Sequence, residues 1–199
     1  MYDSMDLDAE NEQMAKLEVL QIGHPTLRER SVKVTAFDDG LPRLAEDMFE
    51  TMHEANGVGL AAPQVGIARR LIVVEMPDDD SYPHPGERWV LANPELVKAS
   101  RETEIGQEGC LSVVGYVGMV ERPVEAVIRG QDLTGRKVRI KAEGYVARVF
   151  QHEMDHLDGV LYVDVAREGT VMTVEAYEKL LEEQRAAGLE AEEHAVAPA

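Results

Sequence analysis

The chain has 199 residues, room for one domain with a sizeable core and little left for a second. Hydrophobic residues make up 44% and charged residues 29%, an ordinary globular balance, and no apolar run approaches the length that spans a bilayer. A net charge of −18 argues against a large nucleic-acid footprint and against binding to an anionic membrane.

The opening MYDSMDLDAENEQ is acidic, neither a signal peptide nor an Arg-rich transit sequence, so a soluble cytoplasmic protein is expected. Residues 1–16 hold five acids and one Lys and read as a solvated extension. Leu17–Ile22 follows as a short strand or extended segment. Leu41, Leu44, Ala45, Met48, Met52 and Ala55 recur at helical spacing, with Gly57 expected as the helix cap. Arg70–Met76 and Trp89–Ala92 read as strands, and Pro123–Gly130 and Val138–Ala142 as a hairpin turning at Asp132–Gly135. Tyr145–Leu157 reads as a helix ended by Gly159, and Met172–Ala187 as a last, acidic helix. Strands grouped between an early and a late helix predict an α+β fold: a mostly antiparallel sheet around a central metal-binding helix, flanked by an N-terminal amphipathic and a C-terminal acidic helix. The expected organisation is an acidic extension over 1–16, a catalytic domain over 17–170, and an acidic helix and tail over 171–199.

The sharpest feature is His152-Glu153-Met154-Asp155-His156 in the central helix. Histidines four apart stand one turn above each other, so both imidazoles can face one cation. The Glu beside the first His lies near the same face, where it can take a proton from a metal-activated water. A catalytic centre of this kind needs a third protein ligand. One peptidase pattern would put a His where Tyr162 stands; another would use a downstream Glu, here Glu175. The remaining option is Cys110, the only thiol, which can form no intrachain disulfide and is a strong ligand for zinc or ferrous iron. A closed structural zinc site would need a fourth ligand from His24, His53, His84 or His194, none in ligand-like spacing.

A third stretch, Gly57-Val58-Gly59-Leu60-Ala61-Ala62-Pro63-Gln64-Val65-Gly66, is apolar and Gly-punctuated. Its glycines let a substrate backbone come close, and Gln64 supplies an amide donor. GVGLAAPQVG, then EGCLS around Cys110, then QHEMDHLDG, in this order, closely resemble the peptide deformylase family over Val19 to Val165, roughly three-quarters of the chain.

The resemblance implies removal of the N-formyl group from the starting methionine of new polypeptides. It assigns Cys110, His152 and His156 as ligands of one divalent metal, ferrous iron in the cell, with zinc, nickel or cobalt able to substitute. It makes Glu153 the general base, and Gln64 and the Leu111 N–H the donors to the oxyanion. Val58, Gly59 and Gly109 match positions that receive the peptide as an added strand. The implied partners are N-formylmethionyl peptides of nascent chains, met by a monomer with no membrane or direct nucleic-acid partner. A basic C-terminal helix docks some relatives to the ribosome, and the acidic tail here does not support that contact. The chain departs from the family pattern at Val114, where Pro is common, and near Val117, where many members carry Arg; Arg122 follows. The rival third ligands are separated by metal analysis. Cys110→Ala should abolish tight metal binding and Glu175→Ala should leave metal content unchanged; loss of metal in the Glu175 variant alone would move the chain to the peptidase class.

Overall fold

The computed structural model describes residues 17–187; the acidic extension 1–16, and residues 188–199 with His194, lie outside the described residues. Leu41, Ala45, Met48, Phe49 and Met52 share one buried face of α1 (Gly40–Glu54). That helix closes at Asn56 rather than at Gly57. Asn56 takes the left-handed conformation at φ 56°, its N–H reaches His53 O at 2.9 Å, and the Gly57 N–H reaches Met52 O at 2.8 Å. Asn tolerates that conformation, so the cap falls one residue earlier than the glycine suggests.

Eight strands follow: β1 (Gly59–Ala61), β2 (Leu71–Glu75), β3 (Arg88–Ala99), β4 (Thr103–Glu108), β5 (Tyr116–Pro123), β6 (Glu125–Gln131), β7 (Lys137–Glu143) and, later, β8 (Met172–Thr173). They form two antiparallel sheets, a five-stranded one in the order β1-β2-β3-β6-β7 and a three-stranded one in the order β4-β5-β8. The fold is therefore α+β, with two sheets in place of the single sheet expected. β3 runs well past Ala92 because a bulge between Ala92 and Glu95 absorbs Asn93, at φ 53°, and Pro94. In the β6–β7 turn, Asp132 Oδ1 accepts from Thr134 N at 2.9 Å and Arg136 N at 3.0 Å, and Gly135 supplies the φ of 81°.

Two strands, β4 and β5, carry no sequence signal of the usual kind. The inward residues of β4 are Gly106 and Glu108, and β5 buries Arg122. Polar groups occupy positions that alternation would give to Val or Ile.

Helix α2 (Gly144–Leu157) packs Val146, Ala147, Val149 and Phe150 on the five-stranded sheet, against Ile72, Val74, Leu91, Ala126, Ile128 and Ala142. α1 covers the other face of β1 and β2. A short turn, α3 (Tyr162–Val165), follows, and α4 (Val174–Ala186) rests on β5 and β8 with no fully buried side chain. Residues 17–22 are extended without forming a strand. Leu20 N–H donates to Gln64 O and Ile22 N–H to Ser112 O, each at 2.7 Å, so this strap ties together two loops that are otherwise distant in sequence.

Helix α2 ends as expected at Gly159, with φ 76°; its N–H meets His156 O at 3.2 Å and Val160 N–H meets Asp155 O at 3.0 Å. A Cβ there would fall 2.6 Å from Arg28 O, whereas at Gly169, with the same φ, nothing lies within 4 Å. Gly169→Ala should cost only the left-handed penalty of about 1–2 kcal/mol. Gly159→Ala should cost clearly more, read as a larger drop in the urea midpoint; equal midpoints would mean that the Arg28 backbone yields freely.

Candidate active site

Three elements converge on one pocket. The loop after β4 carries Gly109, Cys110 and Leu111, α2 carries His152, Glu153 and His156, and the β1 segment with the turn after it carries Val58, Gly59 and Gln64. The cleft is lined by Val58, Gly59, Gly109, Leu111, Tyr145 and Val149 among others, with Gln64, His152 and Glu153 among its polar groups. Every residue singled out from the sequence for substrate or oxyanion contact borders this cleft. Val114 and Val117, where the chain departs from the common pattern, do not: Val114 is exposed and Val117 is buried in β5 opposite Met172.

The ligand atoms of Cys110, His152 and His156 all lie within 4.8 Å of one another. Cys110 Sγ and His156 Nε2 are 3.3 Å apart. Ordinary bond lengths on a tetrahedral ion would put a sulfur and an imidazole nitrogen about 3.5 Å apart, so these residues fit a cation with an open fourth position. Glu175 stands in the first turn of α4 and belongs to no such group among the described residues. His24 accepts from Thr26 N, His53 meets Glu75 and His84 meets Glu87, all away from the cluster.

Around the thiol, Gln64 Nε2 lies 3.5 Å from Cys110 Sγ and donates to Ser112 Oγ at 3.2 Å, while Gln64 Oε1 accepts from Ala61 N at 2.8 Å. The Gln64 amide is thereby fixed with its nitrogen toward the sulfur. Leu111 O accepts from Gln21 Nε2 at 3.0 Å, and the Leu111 N–H donates to no acceptor among the described residues.

Glu108, unassigned from sequence, organises the other side. It receives His152 Nδ1 at 3.0 Å, Arg122 through two nitrogens at 2.9 Å each, and Arg148 at 3.0 Å. Arg122 also reaches Asp155 at 2.6 Å, and Arg148 donates to Val120 O and Glu104 O, each at 2.9 Å. Gly106 makes room: a Cβ there would sit 2.7 Å from the Arg148 guanidinium. The available signal was Arg148 itself, standing in the apolar phase of Val146-Ala147-Arg148-Val149-Phe150, a cation where the helix faces inward.

The charges follow from these contacts. Burial pushes Glu108 up, but hydrogen bonds from His152 and Arg122 outweigh it and hold the carboxyl well below its usual range. Burial alone would lower His152; Cys110 and Glu108 overcome it and raise the imidazole well above its ordinary value. His156 is pushed down by burial and then by the charge of His152. Glu153 lacks such partners, and burial lifts it to about 7. Its Oε2 is buried with no hydrogen-bond partner among the described residues.

Fold and site together fit a metal-dependent hydrolase, with one thiol and two imidazoles grouped by a helix and a neighbouring loop. The polypeptide deformylase model matches residues 16–171. Peptide deformylase of Thermomicrobium roseum is 44% identical over 152 residues, 76% of this chain and 86% of that protein. The enzyme of Symbiobacterium thermophilum is 50% identical over 151 residues, 76% and 67% of the two chains. A Met-Ala-Ser-bound class I type b peptide deformylase from Acinetobacter baumannii superposes with a TM-score of 0.72 at 39% identity, covering 77% of this chain and 99% of that one. The chain belongs to the polypeptide deformylase family. It is a hydrolase that removes the N-formyl group from nascent polypeptides.

Glu108→Gln retains the shape but removes the charge that orients His152. Outer-shell changes of this type cost about 10–100-fold in metal affinity. Competition with a chelator should show that loss; unchanged affinity in a folded variant would mean that the Glu108 charge does not set how His152 is held.

Proposed function

We propose that Cys110, His152 and His156 hold one divalent cation, ferrous iron in the cell with zinc, nickel or cobalt able to substitute, and that Glu153 is the general base of deformylation. The observation that carries this reading is the meeting of the sole thiol with both imidazoles of α2, beside a buried carboxylate with a free oxygen. When bound, such a cation lowers the pKa of water from about 15.7 toward neutrality and polarises the formyl carbonyl.

The chain's own residues do the rest. Glu153 takes a proton from the attacking water and returns it to the departing amine nitrogen. Gln64 Nε2 and the Leu111 N–H donate to the oxygen of the tetrahedral intermediate. β1 is an edge strand, bonded to β2 on one side only, so Val58, Gly59 and Gly109 can receive the peptide as a further strand. A side chain at Gly59 would press on Glu153, with a Cβ only 2.8 Å from its Cδ, so glycine keeps base and peptide close without a clash. The apolar lining of Leu111, Val58 and Val149 suits a methionine side chain.

The enzyme acts as a cytoplasmic monomer on N-formylmethionyl nascent chains, and no described helix is long and apolar enough to cross a membrane. Residues 17–170 form the catalytic domain, with α1 as its amphipathic N-terminal helix. The acidic helix α4 and the segment beyond it serve stability and not chemistry, attached through the two-residue pairing of β8 with β5.

Formate release from a formyl-Met peptide, with ferrous iron and without oxygen, tests the whole reading. Glu153→Ala should keep a full metal complement and lose about 10²–10⁴-fold in rate. Burial raises Glu153 to about 7 and a nearby cation pulls it down, so the acid limb of kcat/KM, where the base becomes protonated, should fall between about 4.3 and 7. A near-wild-type rate in the variant, or an acid limb above that window, would remove Glu153 from the role.

A further inference from the structure

The strand β7 reads Lys137-Val138-Arg139-Ile140-Lys141-Ala142. Val138, Ile140 and Ala142 point to the face covered by α2, so Lys137, Arg139 and Lys141 share the opposite, exposed face at about 6.8 Å intervals. The register extends that face across the sheet: Arg129 of β6 lies opposite Arg139, and Lys141 and Lys98 of β3 flank Val127. Lys33 completes the patch beside Glu95. Six cations thus surround one acid, Glu95, and the face stops at the Glu125–Glu143 pair. Glu95 is shared by Lys33 and Arg129, whereas Lys98, Lys137, Arg139 and Lys141 have no ion-pair partner among the described residues.

This is the reverse of the chain's overall character, which is 38 acids to 20 bases. Charged edge strands deter sheet-to-sheet association, and β7 is an edge. Edge protection, however, is served by either sign and needs only the edge strand. Here the cations continue inward over β6 and β3, and Arg129 directly opposes Arg139, a like-charge pairing that costs stability. At physiological ionic strength the Debye length is about 8 Å, so a local patch acts largely independently of distant acids.

We propose that this face is a docking surface for the phosphate backbone of folded RNA. A row of unpaired Lys and Arg on an open sheet face offers phosphate contacts without base readout, which gives sequence-independent, salt-sensitive binding. The cations point away from α2, so an RNA held there leaves the cleft open to a nascent peptide. The net charge excludes a broad footprint, and this one is confined to three strands and Lys33.

Fluorescence anisotropy of a labelled RNA hairpin with the full chain tests it. Four phosphate contacts predict a log–log salt slope of about −2.8 to −3.6, a loss of roughly 50- to 150-fold in affinity between about 50 and 200 mM salt. The triple variant Lys137→Gln, Arg139→Gln, Lys141→Gln should flatten that slope by about 2–3 units. Its deformylation of short formyl-Met peptides and its melting temperature should stay near wild type, which separates docking from chemistry and folding. Absence of binding at low salt, or equal binding by the triple variant, overturns the proposal. So does polyglutamate that competes as well as RNA at equal charge, which would assign the face to an acidic protein.

Discussion

Glu108 is a buried carboxylate held between two guanidinium groups and an imidazole, and the architecture turns on that contact. Its partners come from β5 and α2, so one anion joins the three-stranded sheet to the helix that carries His152 and His156. Removing one member of a buried charged set leaves the others unpaired, at about 3–5 kcal/mol. The set is correspondingly complete: both Glu108 oxygens are used, Arg122 reaches on to Asp155, and Arg148 also satisfies backbone carbonyls in β4 and β5. Gly106 is part of the same device, since only a residue without a side chain admits the Arg148 guanidinium at that point.

The cluster sets the electrostatic contrast within the site. Glu108 and Glu153 are both buried acids near His152, yet one is driven down and the other lifted to about 7. The difference lies in their partners. Glu108 has fixed donors at hydrogen-bond distance, and Glu153 Oε2 has none among the described residues. One carboxylate is therefore suited to holding an imidazole and the other to exchanging a proton. The strap at residues 17–22 does comparable work on the opposite wall, where Leu20, Gln21 and Ile22 bond the Gln64 turn to the loop of Leu111 and Ser112.

Much of this was legible before any coordinates. The helical spacing of Leu41 to Met52, the span of α2 and its Gly159 cap, and the β6–β7 hairpin follow from periodicity and turn chemistry. β4 and β5 did not, because β4 turns Gly106 and Glu108 inward and β5 buries Gly118 and Arg122 beside Val117 and Val120, which breaks the simple alternation. β3 was cut short at Ala92, since Asn93 and Pro94 resemble a strand end until the bulge is seen to carry the pairing onward. Gly57 drew the cap of α1 one residue too far because Asn56 can take the same backbone conformation.

The sequence by itself determined the chemical types at the site: one thiol, two histidines one helical turn apart, a glutamate between them, and an amide in a Gly-rich turn. Their spacing in α2 is local geometry, and local geometry is set by the helix alone. The motif order points to Cys110 over Glu175, but only the tertiary structure brings that thiol beside both imidazoles, because the meeting depends on which loop the sheets carry to α2. It likewise decided that Glu108 lies inside with its two arginines. A buried charge is stable only when partners distant in the chain reach it, and no periodicity records such a meeting.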